Sequence, residues 1–229
     1  MINKLLSTAF KLYLRSQLTH TEDLQISILG KNSQILQGNI PGLLLSCTNT
    51  VYQGLFLESV AIKGADIKFN LSEVLKQKPW QLLEPIIVEV KLSLNSDDLQ
   101  ASLASPLLQS ALNDLWQIIL NIETINNKLI NSTITWENIA IAPQGFDFTG
   151  IYRDAQGKIQ PIKLFTQFAL DNPHTLNLNT VEITDISVGL QRLEHPLPIN
   201  LGSDVLIEQL IFDPQQILCA GKIIIKPIS

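Results

Sequence analysis

Histidine, cysteine and paired acids are the residues with which a chain would do metal or nucleophilic chemistry, and in this one they are scattered. His20, His174 and His195 stand alone, the last two beside prolines. No H-x-x-x-H or H-E-x-x-H spacing sets two imidazoles on one helical face, so no zinc site is indicated. Cys47 and Cys219 lie far apart and form no C-x-x-C pair. They fit two buried free thiols in a reducing compartment, with a disulfide between them as the alternative. Asp97 and Asp98 are adjacent, and adjacent helix residues do not face each other, so they read as charges at a helix N-terminus. Asp185 and Glu194 flank nothing recognisable. There is no G-x-S-x-G elbow for a hydrolase and no glycine-rich nucleotide loop. No catalytic residue, metal site or cofactor is indicated.

The elements around these residues are greasy. The 229 residues are 45% apolar and 16% charged, with a net charge of −5. That is material for a sizeable core and an unfavourable balance for wholesale nucleic-acid binding. No run reaches the ~20 apolar residues of a membrane span. The first residues, broken by Lys11 and Arg15, do not read as a signal peptide, so the expected location is cytoplasmic, peripheral on the cytoplasmic face of a membrane where lipid is engaged.

Residues 1–20 read as an amphipathic helix, with Ile2, Leu5, Leu6, Phe10 and Tyr13 near i, i+3, i+4 spacing. Lys4, Lys11 and Arg15 make the segment basic in an acidic chain, so Lys4, Phe10, Lys11 and Arg15 are its candidate membrane-surface residues. The plain alternative is a helix docked on the domain with its cations solvated.

Strands are expected over 24–94 and 130–227. "LQISIL" and "IIVEVKLSL" alternate, the period of a strand with one buried face. A longer frame also recurs: apolar, skip two, apolar, skip one, apolar, skip four, apolar, skip one, apolar. Its copies are Leu57–Val60–Ile62–Ile67–Phe69, Trp136–Ile139–Ile141–Phe146–Phe148, Leu178–Val181–Ile183–Val188–Leu190 and Ile207–Leu210–Phe212–Ile217–Cys219. The two-residue gap shifts the phase by one, as a β-bulge does. The four-residue gaps "KGAD", "APQG", "TDIS" and "DPQQ" mostly carry turn residues. Each copy therefore predicts a bulged strand turning or bending into a second strand, unless the pattern is coincidence in a chain this apolar. The copies are too unevenly spaced for a solenoid, and one dry face implies an antiparallel sheet with one wet side.

Between the strand regions, 96–122 reads as a helical unit, either one kinked helix or two short ones. Ser96 is a candidate cap for its first part. Ser105 followed by Pro106 is a strong start for the second. Leu108, Ala111, Leu115, Ile118 and Ile122 form a stripe that Leu107, Leu112, Trp116 and Ile119 widen. That face exceeds the ~100° of an ordinary surface helix. It is either enclosed by protein or lines an apolar groove. Trp80, Trp116 and Trp136 read as core, with a bilayer interface as the alternative for Trp80, in a loop after Pro79.

Here the residues resemble a known family. "KPWQLLEPIIVEVKLSLNSDDLQASLASPLLQSAL" (78–112) is similar to the signature segment of the LmeA-like phospholipid-binding family, frequent in cyanobacteria. The likeness continues upstream through "GNIPGLLLSCTNTVYQGLFLESVAIKGADIKFNL" (38–71) and more weakly in "ILCAGKIIIKP" (217–227). The resemblance implies an α+β chain with a tubular-lipid-binding-like fold, its long twisted, bulged antiparallel sheet curled around a central kinked helix with acyl chains between. It also implies phospholipid binding without catalysis. Actinobacterial members carry an export signal that this chain lacks, a departure that favours the cytoplasmic side. The family brings no catalytic residues to these positions.

Residues 1–229 are thus expected to form one lipid-binding domain that binds, and by extension transfers, a phospholipid or other acyl-chain lipid. Its candidate lipid-binding residues are Leu103, Leu107, Leu108, Leu112, Leu115, Trp116 and Ile119. The competing readings are an interaction scaffold with a protein-filled core and, with no nucleophile–base pair visible, an enzyme acting on lipids.

Overall fold

Alternation governs the chain, and the backbone follows it into two antiparallel sheets. A computed structural model describes residues 7–8, 11, 14–74, 76, 80–120, 134–154, 156–185, 189–192 and 196–227. The first sheet has the order β1 (Leu18–Leu29), β2 (Asn39–Tyr52), β3 (Leu55–Lys68), β4 (Ile86–Asn95), β12 (Gln216–Ile225), β11 (Val205–Phe212). The second has β10 (Leu197–Asn200), β8 (Thr175–Asp185), β7 (Ile159–Asn172), β6 (Gly145–Arg153), β5 (Ile134–Ala142), with β9 (Gly189–Arg192) also on β8. Both sheets are open. The described residues 7–8, 11 and 14–17 are helical, and strand begins at Leu18 rather than at the expected 24.

Three of the four repeated frames produce the predicted bulge. Trp136 faces Gly150 and Asn138 faces Thr149, leaving Glu137 as the extra residue. Asn179 is extra in β8, between the pairs Gln167–Thr180 and Phe168–Leu178. Glu208 is extra in β11, between Ile207–Gly221 and Gln209–Ala220. Strands come close beside that last bulge: a Cβ at Gly221 would sit 2.1 Å from the Leu206 carbonyl oxygen. "APQG" and "DPQQ" are hairpin turns, β5 to β6 and β11 to β12. Part of the third frame, Val188 included, lies outside the described residues. The first frame is a correction. Leu57 to Lys68 pairs with β2 without a slip, and "KGAD" stays inside β3, with Asp66 at φ 50°. β2 pairs with this stretch through to Lys68 and β4 with Ser59–Gly64, so turn chemistry in the sequence is overridden by the continuous ladder with β2.

The helical unit takes the second of its two expected forms: not one kinked helix but two, Ser96–Ala101 and Pro106–Leu120, joined by a 3-10 turn, Ser102–Ala104. The first is capped by Asn95 rather than Ser96. The Asn95 side chain accepts from the Asp98 amide (2.8 Å), and the Asp98 carboxylate accepts from the Asn95 amide (3.3 Å). The reciprocal pair satisfies two orphan donors at once. Ser105 caps the second helix as expected, its Oγ accepting from the Leu108 amide at 3.1 Å.

The apolar side chains collect in two clusters. The larger joins Leu99, Leu103, Leu112, Trp116, Ile119 and Leu120 of the helical unit to the second sheet through Trp136, Ile139, Phe148, Leu164, Leu178 and Ile183, and reaches Ile217 of the first. The smaller lies at the far end of the first sheet, around Ile35, Ile40, Ile67, Phe69, Leu82 and Val88.

Candidate functional site

Side chains directly opposite one another in an antiparallel pair share a face. Across β2, β3, β4, β12 and β11 the registers therefore read out as rows. One row is Leu43, Gly64, Val88, Ile223, Val205. The next is Leu45, Ile62, Val90, Gly221, Ile207, and the third Cys47, Val60, Leu92, Cys219, Leu210. β1 extends the first two with Ile28 and Ile26. Not one member is polar. The opposite face reads Leu44, Lys63, Glu89, Lys222, Leu206, then Ser46, Ala61, Lys91, Ala220, Gln209. It carries a Lys63–Glu89 ion pair at 3.3 Å and a Ser59–Ser93 hydroxyl contact at 2.7 Å. The first sheet is thus wet on one side and oily on the other.

The oily side is covered only in part, toward its ends. Val88 and Ile28 are buried in the smaller cluster and Ile217 in the larger. Between them Leu45, Val60, Ile62, Val90, Leu92, Ile207, Leu210 and Cys219 are half-buried. At the Ile217 end Phe212 meets Phe146 of the second sheet edge to face, with centroids 5.4 Å apart. The dry faces of the two sheets therefore join into one surface.

Sequence reasoning placed the site on the helical unit, and the structure divides those residues. Leu103, Leu112, Trp116 and Ile119 are buried in the larger cluster. Leu108 and Leu115 are half-buried against it, and Leu107 is exposed. Trp116 stands edge-on to Trp136, with centroids 6.2 Å apart, and neither indole Nε1 has a hydrogen-bond partner. Of the candidate membrane-surface residues, Lys4 and Phe10 lie outside the described residues; Lys11 is half-buried and Arg15 exposed, both at helical positions.

Two polar residues that sequence reasoning missed fasten the helical unit to both sheets. Ser102 is fully buried; its Oγ donates to the Asp98 carbonyl and accepts from the Phe56 amide of β3, both at 2.7 Å. Gln100 fills the β5 bulge: its Oε1 accepts from the Ile139 amide (2.9 Å) and its Nε2 donates to the Glu137 carbonyl (3.1 Å). A bulge frees a backbone amide and carbonyl, and a primary amide carries on separate atoms the acceptor and the donor that answer them. The signal was present in the predicted bulge, but not the identity of the residue that would fill it.

The cysteines share a row but not a bond. Three strand spacings separate β2 from β12, about 14 Å, whereas a disulfide needs Cα atoms within about 7 Å. Both are free, and burial pushes the Cys219 thiol up. Two titratable thiols are expected on unfolding the protein without reductant; a value of zero would contradict this geometry. His174 faces backbone, its Nδ1 2.8 Å from the Val205 carbonyl oxygen, and His20 lies 3.6 Å from Glu22. Among the described residues no group of three or more His, Cys, Asp or Glu side chains converges as metal ligands would, and no helix is long and apolar enough to cross a membrane.

No curated protein and no solved structure matches the chain. A family model described as LmeA-like phospholipid-binding matches residues 1–222. A whole-length match of that kind, on a chain whose first sheet keeps one uninterrupted oily face, has one reading: the protein belongs to the LmeA-like phospholipid-binding family.

Proposed function

We propose that the protein is a non-enzymatic carrier or holder of phospholipid, with acyl chains lying along the oily face of the first sheet. The observation that carries this is the set of rows through Ile62, Val90 and Leu92, apolar in every member and, buried Cys47 apart, only half-buried. Fully burying a Leu, Ile or Val side chain is worth ~1.5–3 kcal/mol, so hydrocarbon laid over several of them has a substantial driving force. The uncovered edge of the long helix, Leu107, Leu108 and Leu115, extends this surface. Leu103, Leu112, Trp116 and Ile119 act behind it, seating the helix on the second sheet. Twist and bulges supply the curvature that a tubular lipid-binding arrangement requires. In this reading the protein works at the cytoplasmic face of a membrane, loading and unloading lipid without breaking a bond.

Organic extraction and native mass spectrometry of purified protein test it. Bound phospholipid is expected, as is its re-uptake from vesicles after delipidation. Protein that emerges lipid-free and takes up none would leave the scaffold reading in its place.

A further inference from the structure

In an antiparallel meander the ends of β1, β3 and β12 and the starts of β2 and β4 all fall at one end of the sheet. At that end of the first sheet large apolar side chains stand in water: Leu29, Leu36, Trp80, Leu83, Ile87 and Ile225, each 40–59% exposed. They come from the end of β1, the short helix Asn32–Leu36, the segment before β4, and the β4 and β12 termini. Isolated exposed apolar residues are ordinary, but a contiguous group marks an interaction surface.

We infer that this end of the first sheet docks on a lipid bilayer, with Leu36, Trp80 and Leu83 entering the interface. The inference rests on the lipid-binding reading above and locates its point of exchange. Three observations favour a bilayer over a protein partner. The oily face runs out at this end along β12, through exposed Ile223 and Ile225 beside the buried Val88, so an acyl chain sliding along that strand would pass directly into hydrocarbon. Trp80 is exposed but held, its ring stacked on buried Phe69 with centroids 6.2 Å apart. An indole with an apolar body and a polar tip is suited to the headgroup level. Three lysines bordering the patch are paired with acids, Lys68 with Glu84 (2.9 Å), Lys76 with Glu73 (2.9 Å) and Lys226 with Asp204 (2.7 Å), while Lys31, two residues beyond Leu29, is exposed outside these pairs. A rim made mostly of closed ion pairs puts little net charge around the apolar insertion. The helical residues 14–17 lead into Leu18, which pairs with Tyr52 at the opposite end of the sheet. Docking here therefore does not use Arg15.

The test uses the full chain with vesicles of phosphatidylcholine alone. Binding is expected without anionic lipid and is expected to persist at about 1 M salt, where the Debye length is about 3 Å. Of the three tryptophans only Trp80 is exposed, and Trp116 and Trp136 are buried. Vesicles should therefore shift the emission to shorter wavelength, and Trp80→Phe should abolish the shift. The double variant Leu36→Asp, Leu83→Asp changes two exposed residues and should keep the native melting curve while weakening vesicle binding at least tenfold. Its uptake of a soluble short-chain phospholipid, read by native mass spectrometry, should match the unmodified protein. Vesicle binding unchanged in the double variant, or unchanged Trp80 emission, overturns the docking site. Loss of short-chain uptake in the unmodified protein overturns instead the lipid-binding reading beneath it.

Discussion

Phe148→Ala is expected to destabilise the protein by about 3–5 kcal/mol, the range for an aromatic removed from a close-packed core. For a chain of this size that lowers the melting temperature by on the order of 10 °C. Phe148 is 2% exposed and lies between Trp136 and Phe146, at centroid distances of 5.3 and 5.7 Å. Its ring is where the β5 bulge, the β6 strand and the long helix meet, so the surrounding side chains have little room to collapse into the void. Trp136→Phe provides the comparison. It also removes core volume, but it discards an indole Nε1 that is buried without a partner. Shedding an unsatisfied donor returns about 1–3 kcal/mol, so this variant should cost clearly less than Phe148→Ala. Denaturant unfolding of the two measures the difference, and an equal or larger loss for Trp136→Phe would mean that the indole has a partner in solution.

Leu92→Asp is expected to reduce phospholipid occupancy at least tenfold while leaving most of the stability in place. Leu92 sits in the middle of the third oily row, between Val60 and Cys219. A carboxylate there is half-exposed in the empty protein and keeps much of its hydration. With an acyl chain laid over it, the charge would be dry and unpaired, which is strongly unfavourable. Ala61→Asp is the control. Ala61 is exposed on the opposite, polar face in the row of Ser46 and Lys91, so the same charge meets water and leaves lipid binding unchanged. Should Leu92→Asp retain its lipid, the acyl chain lies elsewhere, and the exposed edge of the helix at Leu107 becomes the surface to test.

The repeated frames differ in how much of them could be read in advance. Those starting at Trp136, Leu178 and Ile207 foretold their bulges, and Trp136, Ile139, Phe148, Leu178, Val181, Ile183 and Ile217 are buried in the larger cluster. Leu57 to Phe69 carried the same pattern without a bulge or a turn. The difference is that β3 keeps one unbroken ladder with β2 through to Lys68, reinforced by β4 over Ser59–Gly64. The helical unit shows the same division. Its second cap was legible because Ser–Pro acts locally. The destination of its stripe was not, because that depends on how much of the stripe the second sheet would cover.

What the sequence determined alone is whatever acts within a few residues: strand alternation, the bulge phase shifts, the Ser105–Pro106 helix start, and the absence of spacings that build a metal or nucleophilic site. Only the tertiary structure decided which oily surfaces remain uncovered. β12 returns across some 120 residues to lie beside β4, completing the rows through Leu92 and Cys219. Closing so long a loop costs only slightly more entropy than closing a short one, so nothing in the local pattern forbids or announces it. The pairing is chosen by the area it buries against distant strands, a quantity that exists only once the sheets are assembled.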